Sequence, residues 1–291
     1  MLAPEQLSEL APTAFATAPL PGSFWQQFNI GLIRKQGDAT ASAHALFQTI
    51  SPQLARWYHE GPLQAWFFMR KPPDVRLRVC LRPEASEAAR ALERPLLELS
   101  ERGLIRGHYQ TRYLPEQGRF GGGEAMSLAH AYFHIDSWLW LQLEELRRRG
   151  VRKLGPKLML FAVLQHLFQQ CCGEENSAVG WAELAALITG IDATPLPASV
   201  RQACPIERLI RDVQLDPVER MILQVFARSN RLLRLRISAM SRPAEREVTP
   251  SHFAALVALF NLNRHGAAPE IFGHITPGTD AGPNKGVQPE N

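Results

Sequence analysis

The sequence predicts an α+β protein: a small, mostly antiparallel sheet packed by helices, followed by a helical half. Three observations carry this. Between residues 63 and 115, runs with strand character enclose one helical run in the order strand, strand, helix, strand. After Gly123 the chain turns to long helical segments. Of the 291 residues, 45% are apolar, enough to bury a core.

The elements follow in order. Residues 1–23 are rich in Pro and Ala and read as an arm. The aromatic stretch FWQQFNIGL (24–32) reads as a segment that pairs or packs. Residues 41–60 read as a helix with a break at Pro52. LQAWFFMR (63–70) and VRLRVCLR (75–82) read as two strands, and KPPD between them suits a turn. Residues 84–103 are helical by their Ala, Leu and Glu content, with Gly103 as the stop. LIRGHYQTRYLP (104–115) looks extended. Residues 124–150 form a long helix closed by a basic turn and a glycine, as the helix dipole favours. Further helices are expected over 156–172, 177–191, 216–240 and 249–266. The region 1–266 is read as one unit, and 267–291, with little to bury, as a disordered tail.

Composition bounds the function. The formal charge is +4, carried mostly by arginine with few lysines. Arginine suits sites that grip carboxylate or phosphate with set geometry, but a charge this modest does not call for nucleic acid. Cys80, Cys171, Cys172 and Cys204 include no CxxC pair, so neither a zinc pattern nor a disulfide framework is present. They read as reduced, mostly buried thiols of a cytoplasmic protein. The first residues carry acids and no basic start, unlike a signal peptide, and no apolar run reaches membrane-spanning length.

Several residues can carry chemistry. Alternation on a strand would put Arg76, Arg78 and Arg82 on one face with Cys80, and Val75, Leu77, Val79 and Leu81 in the core. Arginines on one pleat make either a cationic floor for carboxylates or a solvated face. In YLPEQGRFGGGEAM (113–126), glycines 121–123 permit close backbone approach to a ligand. Glu116 and Arg119 there read as an acid–base and an anion-holding group, or as a surface ion pair. It is not a P-loop, since no Gly-Lys-Ser/Thr follows. His130 and His134 share a helix face, but HAYFH lacks the Glu of zinc-protease helices, so no metal site is expected. Neighbours on a helix point apart, so HIDS (134–137) is no triad, and Asp136 is expected to position the chain around Arg119. RLLRLR (231–236) reads as a solvated helix face.

FFMRKPPDVRLRV, YLPEQGRFGGGEAM and FHIDS, in this order and spacing, resemble the C-terminal, glutamate-elimination domain of lantibiotic dehydratases, over roughly residues 24–266. Stand-alone relatives of that domain work in thiopeptide and other ribosomal-peptide pathways. The resemblance implies elimination of glutamate from glutamylated Ser or Thr of a leader-bearing precursor peptide, giving dehydroalanine or dehydrobutyrine. A separate tRNA-dependent glutamylating protein would supply the ester. A diverged branch instead joins two dehydroalanines in a formal [4+2] cyclisation to a pyridine core and sheds the leader. A third reading is a scaffold that only holds the leader. No cofactor, membrane or direct nucleic-acid partner is implied, and a homodimer is compatible with it.

By the same resemblance, Arg76 or Arg78 and Arg119 hold the glutamyl group, and Glu116 moves a proton or orients an arginine. Tyr113, Gly121, Gly122, Asp136 and Arg264 lie on the substrate side. Two departures stand out. The family's HxxxNR pattern reads LFNLNR here, with Leu259 at the histidine position, and His252 and His265 are out of register. Either another group, His108 or His130, then carries the proton, or the lyase activity is gone. Asp74 stands where a glycine is expected in the KPPD turn.

Overall fold

The computed structural model describes residues 2–16, 22–190, 205–240 and 248–265. Four strands form one sheet in the order β2-β3-β1-β4: β1 (Phe24–Leu32), β2 (Leu63–Lys71), β3 (Asp74–Leu81) and β4 (Ile105–Arg112). All three pairings are antiparallel, with Gln27 opposite both Arg78 and Thr111, and Phe67 opposite Arg78. The stretch FWQQFNIGL is therefore the strand that joins β3 to β4 at the middle of the sheet. Its alternation shows why: Phe28 and Ile30 are buried in the core, while Trp25, Gln27 and Asn29 share the other face.

On the apolar face lie helices α2 (Thr40–Glu60) and α3 (Ser86–Glu101). Phe28, Ile30, Leu77, Val79 and Phe68 supply the sheet side of that layer. The expected break at Pro52 does not occur; α2 runs through it. Leu46, Phe47, Ile50, Leu54 and Trp57 recur at helical spacing and are all buried, so packing on both sides of the proline outweighs its missing N–H. Asp74 earns its place at the start of β3: its carboxylate accepts the Leu32 N–H at 2.8 Å and pairs with Arg34.

The expected N-terminal arm is instead helix α1 (Pro4–Ala16). Leu7, Leu10, Ala11 and Phe15 bury one face against the helical half, which compensates for a Pro- and Ala-rich composition. The helical half comprises α4 (Gln117–Phe120), α5 (Gly123–Arg148), α6 (Pro156–Cys172), α7 (Ser177–Thr189), α8 (Ile206–Asp212), α9 (Pro217–Ala239) and α10 (Pro250–His265). The short α8 was not anticipated from the sequence. Helix α5 is buried all round between Tyr132 and Leu143 and runs against the β2 edge, where His134 Nδ1 meets the backbone of Trp66. Helix α10 joins it there, with Arg264 Nη1 donating to the Phe68 carbonyl. Helices thus cover one face of the sheet and also close its β2 edge.

Two buried polar groups of this interior show how its hydrogen bonds are met. Glu219 is fully buried and accepts the backbone N–H groups of Lys153 and Leu154 at 3.0 and 2.9 Å. Asn230 receives the Tyr132 hydroxyl at 2.7 Å and donates to the Val163 carbonyl. The arginines of RLLRLR are exposed around buried Leu233. Cys80 is buried, but Cys171 and Cys172 are only half-buried; Cys204 and the expected tail at 267–291 lie outside the described residues.

Candidate functional site

Because facing residues of paired strands share a side of the sheet, Arg76 and Arg78 of β3 stand with Trp25, Gln27 and Asn29 of β1, Phe67 and Met69 of β2, and Thr111 of β4. Arg78 is only 7% exposed, which excludes a solvated side chain. Its Nε donates to Gln27 Oε1 at 2.7 Å. Gln27 Nε2 in turn donates to Asn29 Oδ1 and Thr111 Oγ1, both at 3.0 Å, and Asn29 Nδ2 donates to Thr111 Oγ1 at 2.8 Å. The guanidinium lies 4.1 Å from the Tyr113 ring centroid and 5.2 Å from that of Phe67. Arg78 is therefore clamped from beneath by an amide network and from the side by two rings. Burial lowers its pKa from the ordinary value, yet a guanidinium starts so high that it keeps its charge.

The glycine turn comes to the same place. Glu116 and Arg119 form an ion pair at 3.2 Å, half-exposed on α4. Glu116 and Arg76 act electrostatically on Arg78, and Glu116, Arg78, Arg76 and Arg119 all act on Lys71. Strand face and turn thus look onto one space. Gly121 has φ +88°, and a Cβ there would meet Val248 Cγ2 at 2.8 Å, so this glycine serves contact with the chain itself. Gly122, at φ +125°, opens to free space and starts α5.

Tyr113 and His130 form the wall beside Arg78. The Tyr113 hydroxyl is 2.9 Å from His130 Nε2, and the His130 ring packs on Trp25 and Phe67 at 4.4 and 5.6 Å. Burial, with help from the Arg78 charge, pushes the His130 pKa down to about 3, and burial pushes that of His134 to about 4. Both imidazoles are neutral at physiological pH. Burial raises the Tyr113 hydroxyl to about 12. Among the described residues no group of three or more His, Cys, Asp or Glu is placed to hold a metal ion.

Three expected placements differ. His108 is on β4 opposite Ile30, a core residue, so it belongs to the other face of the sheet, where Glu93 of α3 acts on it. The strand period separates it from Arg78. Asp136 does not reach Arg119; it pairs with Arg264, and both are buried beneath the site. Arg264 also donates to Asn261 Oδ1 at 2.9 Å and lies over Phe133 at 5.0 Å. Arg82 follows the end of β3 and turns its guanidinium towards Gly61, leaving the floor to Arg76 and Arg78. Leu259 is half-buried against the core, and His252 is engaged with Glu183 at 3.1 Å.

Sequence reasoning missed Gln27, Asn29, Thr111 and Lys71. The polar alternation Trp25, Gln27, Asn29 was the available signal for the first two. A cavity of about 650 Å³ opens beyond the β2–β3 turn, among Phe47, Phe68, Trp140 and Arg70. Lys71 and Asp74 line it, but Arg76, Arg78, Tyr113, Glu116 and Arg119 do not, and its Arg34 and Arg147 are paired with Asp74 and Glu144. The convergence of groups is on the arginine face.

A strand-borne arginine floor beside a glycine turn with Glu116 and Arg119 has the charge and the donors to hold an anionic group. Over residues 25–269 the sequence matches the family described as lantibiotic biosynthesis dehydratase C-term, and the chain belongs to that family. Among solved structures, the tRNA-dependent lantibiotic dehydratase MibB from Microbispora sp. 107891 matches with a TM-score of 0.62 and 17% identity, over 85% of this chain and 26% of that one. This chain thus spans about a quarter of the solved dehydratase, and the likeness is one of fold. The crystal structure of TsrL aligns over 88% of this chain and 100% of that one, with 13% identity and a TM-score of 0.39. No curated protein matches the sequence.

Proposed function

We propose that this chain modifies a ribosomally made precursor peptide by eliminating glutamate from glutamylated Ser or Thr, leaving dehydroalanine or dehydrobutyrine. The single observation that carries the reading is the clamped Arg78, set with Arg76 on the sheet face near Glu116 and Arg119. Elimination needs a base for the α-proton, a cation beside the developing enolate and a cation for the departing carboxylate. Arg78 is held rigidly enough to act as the first cation without reorganising. Arg119, half-exposed beside Gly122, suits the second, and Glu116 orients it. Tyr113 and the glycine turn border the path of the peptide. Asp136 and Arg264 support the floor from within the core.

The partners proposed are a leader-bearing precursor and a tRNA-dependent glutamylating protein, with all three working in the cytoplasm. Leu259, an apolar residue where the lyases carry histidine, favours a second reading, cyclisation of two dehydroalanines to a pyridine with loss of the leader. Mass spectrometry of a synthetic glutamylated precursor, with and without the chain, separates the two. Elimination removes glutamate. Conversion only of a peptide with preformed dehydroalanines, with leader release, selects cyclisation; tight leader binding with neither reaction selects a scaffold. Arg78→Ala and Arg119→Ala are each expected to lower glutamate release on the order of a hundredfold while the fold persists. Near-normal release by both variants would remove the arginine site from consideration.

A further inference from the structure

The elimination reading leaves the base unassigned, and the groups around the floor narrow the choice. Glu116 is engaged in an ion pair with Arg119 at 3.2 Å, which occupies its carboxylate. His130 is buried with its Nε2 on the Tyr113 hydroxyl. His108 is on the opposite face. Lys71 remains; it opens the KPPD turn of the FFMRKPPDVRLRV stretch, where no role was read for it.

Lys71 is the last residue of β2 and shares a face with Phe67 and Met69, which stand opposite Arg78 and Arg76. Its side chain is half-buried, with Nζ 5.9 Å from the Phe260 ring centroid. Phe260 packs at 5.6 Å on Phe120, the residue that follows Arg119 in the α4 turn. The amine therefore sits between the strand face and the turn that bears Glu116 and Arg119. We propose that the Lys71 amine is the base that takes the α-proton of the glutamylated residue, an assignment that rests on the elimination reading above.

The amine nitrogen forms an N–H bond as the Cα–H bond breaks. The electron pair passes through the enolate and becomes the Cα=Cβ double bond as the Cβ–O bond of the ester breaks. Glutamate leaves as a carboxylate towards the arginines, and the ammonium later returns its proton to water. No oxidant or reductant is needed. The charged groups facing Lys71 are Arg76 and Arg78 from β3 and Glu116 and Arg119 from the α4 turn; Asp74, its partner across the hairpin, is engaged with Arg34. Burial lowers the Lys71 pKa below the ordinary lysine value; Glu116 opposes this, and Arg78, Arg76 and Arg119 add to it. The neutral amine is thereby more available near neutral pH than that of a surface lysine.

The test uses the full chain with a synthetic glutamylated precursor and follows single-turnover glutamate release from pH 6 to 10. Lys71→Arg keeps a cation that cannot deprotonate, and is expected to lose about 10²–10⁴-fold in rate together with the ascending limb of the pH profile. Its thermal unfolding should match the parent. Added ethylamine is expected to restore part of the rate to Lys71→Ala and none to Lys71→Arg. If the parent releases glutamate and Lys71→Arg keeps its rate within about threefold, or ethylamine rescues nothing, Lys71 is not the base and elimination stands without it. If the parent itself releases no glutamate, the elimination reading fails and the Lys71 assignment falls with it.

Discussion

Replacing Arg264 with methionine keeps most of the side-chain length and removes the guanidinium. In the parent that group pairs with Asp136, donates to Asn261 Oδ1 at 2.9 Å and to the Phe68 carbonyl at 3.4 Å, and covers the Phe133 ring. Arg264 is 0% exposed and Asp136 1%, so losing the guanidinium leaves the Asp136 carboxylate buried without its Arg264 counter-charge. Stranding one partner of a buried ion pair costs about 3–5 kcal/mol. For a chain of this size, each kcal/mol lowers Tm by roughly 2–4 °C, giving a fall of about 6–20 °C. Removing both charges with Asp136→Leu and Arg264→Met should recover most of that loss, because a buried pair and its apolar replacement are often close in free energy. Urea and thermal unfolding of the two single variants and the double variant measure this directly. The reasoning fails if Arg264→Met unfolds within about 1 kcal/mol of the parent, or if the double variant is no better than the worse single one. A variant of unchanged stability that no longer binds peptide would return Arg264 to the substrate side.

Two further outcomes follow from particular contacts. Gly180→Ala would place a Cβ 2.2 Å from Phe168 Cδ1, whose ring packs on Trp181 at 5.0 Å. A loss of about 1–3 kcal/mol in urea is expected despite the better helix propensity of alanine, and a gain in stability would show that the ring moves freely. His130 and His134 have folded pKa values of about 3 and about 4, against an unfolded value near 6.5. Between pH 6.5 and 4 the unfolded chain binds protons that the folded chain refuses, so stability is full above pH 6.5 and declines on acidification. Thermal melts should show this decline, with a shallower slope in His134→Gln; a flat profile would mean that the histidines are not buried neutral.

Much of the fold was legible because it is local. The strand, strand, helix, strand order and the long helices after Gly123 follow from periodicity, and each agrees with the structure within a few residues at its ends. The buried alternation of Val75, Leu77, Val79 and Leu81 could be read the same way. Residues 4–16 and Pro52 misled because composition and proline are local signals, and both segments are helical through contacts with distant elements.

The candidate site divides along the same line. By itself the sequence determined that Arg76 and Arg78 share a strand face, and that Glu116 and Arg119 occupy one turn, since both depend only on spacing along the chain. Tertiary structure alone decided which of these meet. It brought the turn to the strand face, slid Gln27 and Thr111 beneath Arg78 through the register of β1, sent His108 to the opposite side of the sheet and withdrew Asp136 into the core with Arg264. It also placed Lys71 over the ring of Phe260, 189 positions further along the chain. Pairing register and helix docking are set by the joint burial of residues far apart in sequence, so no local pattern records them.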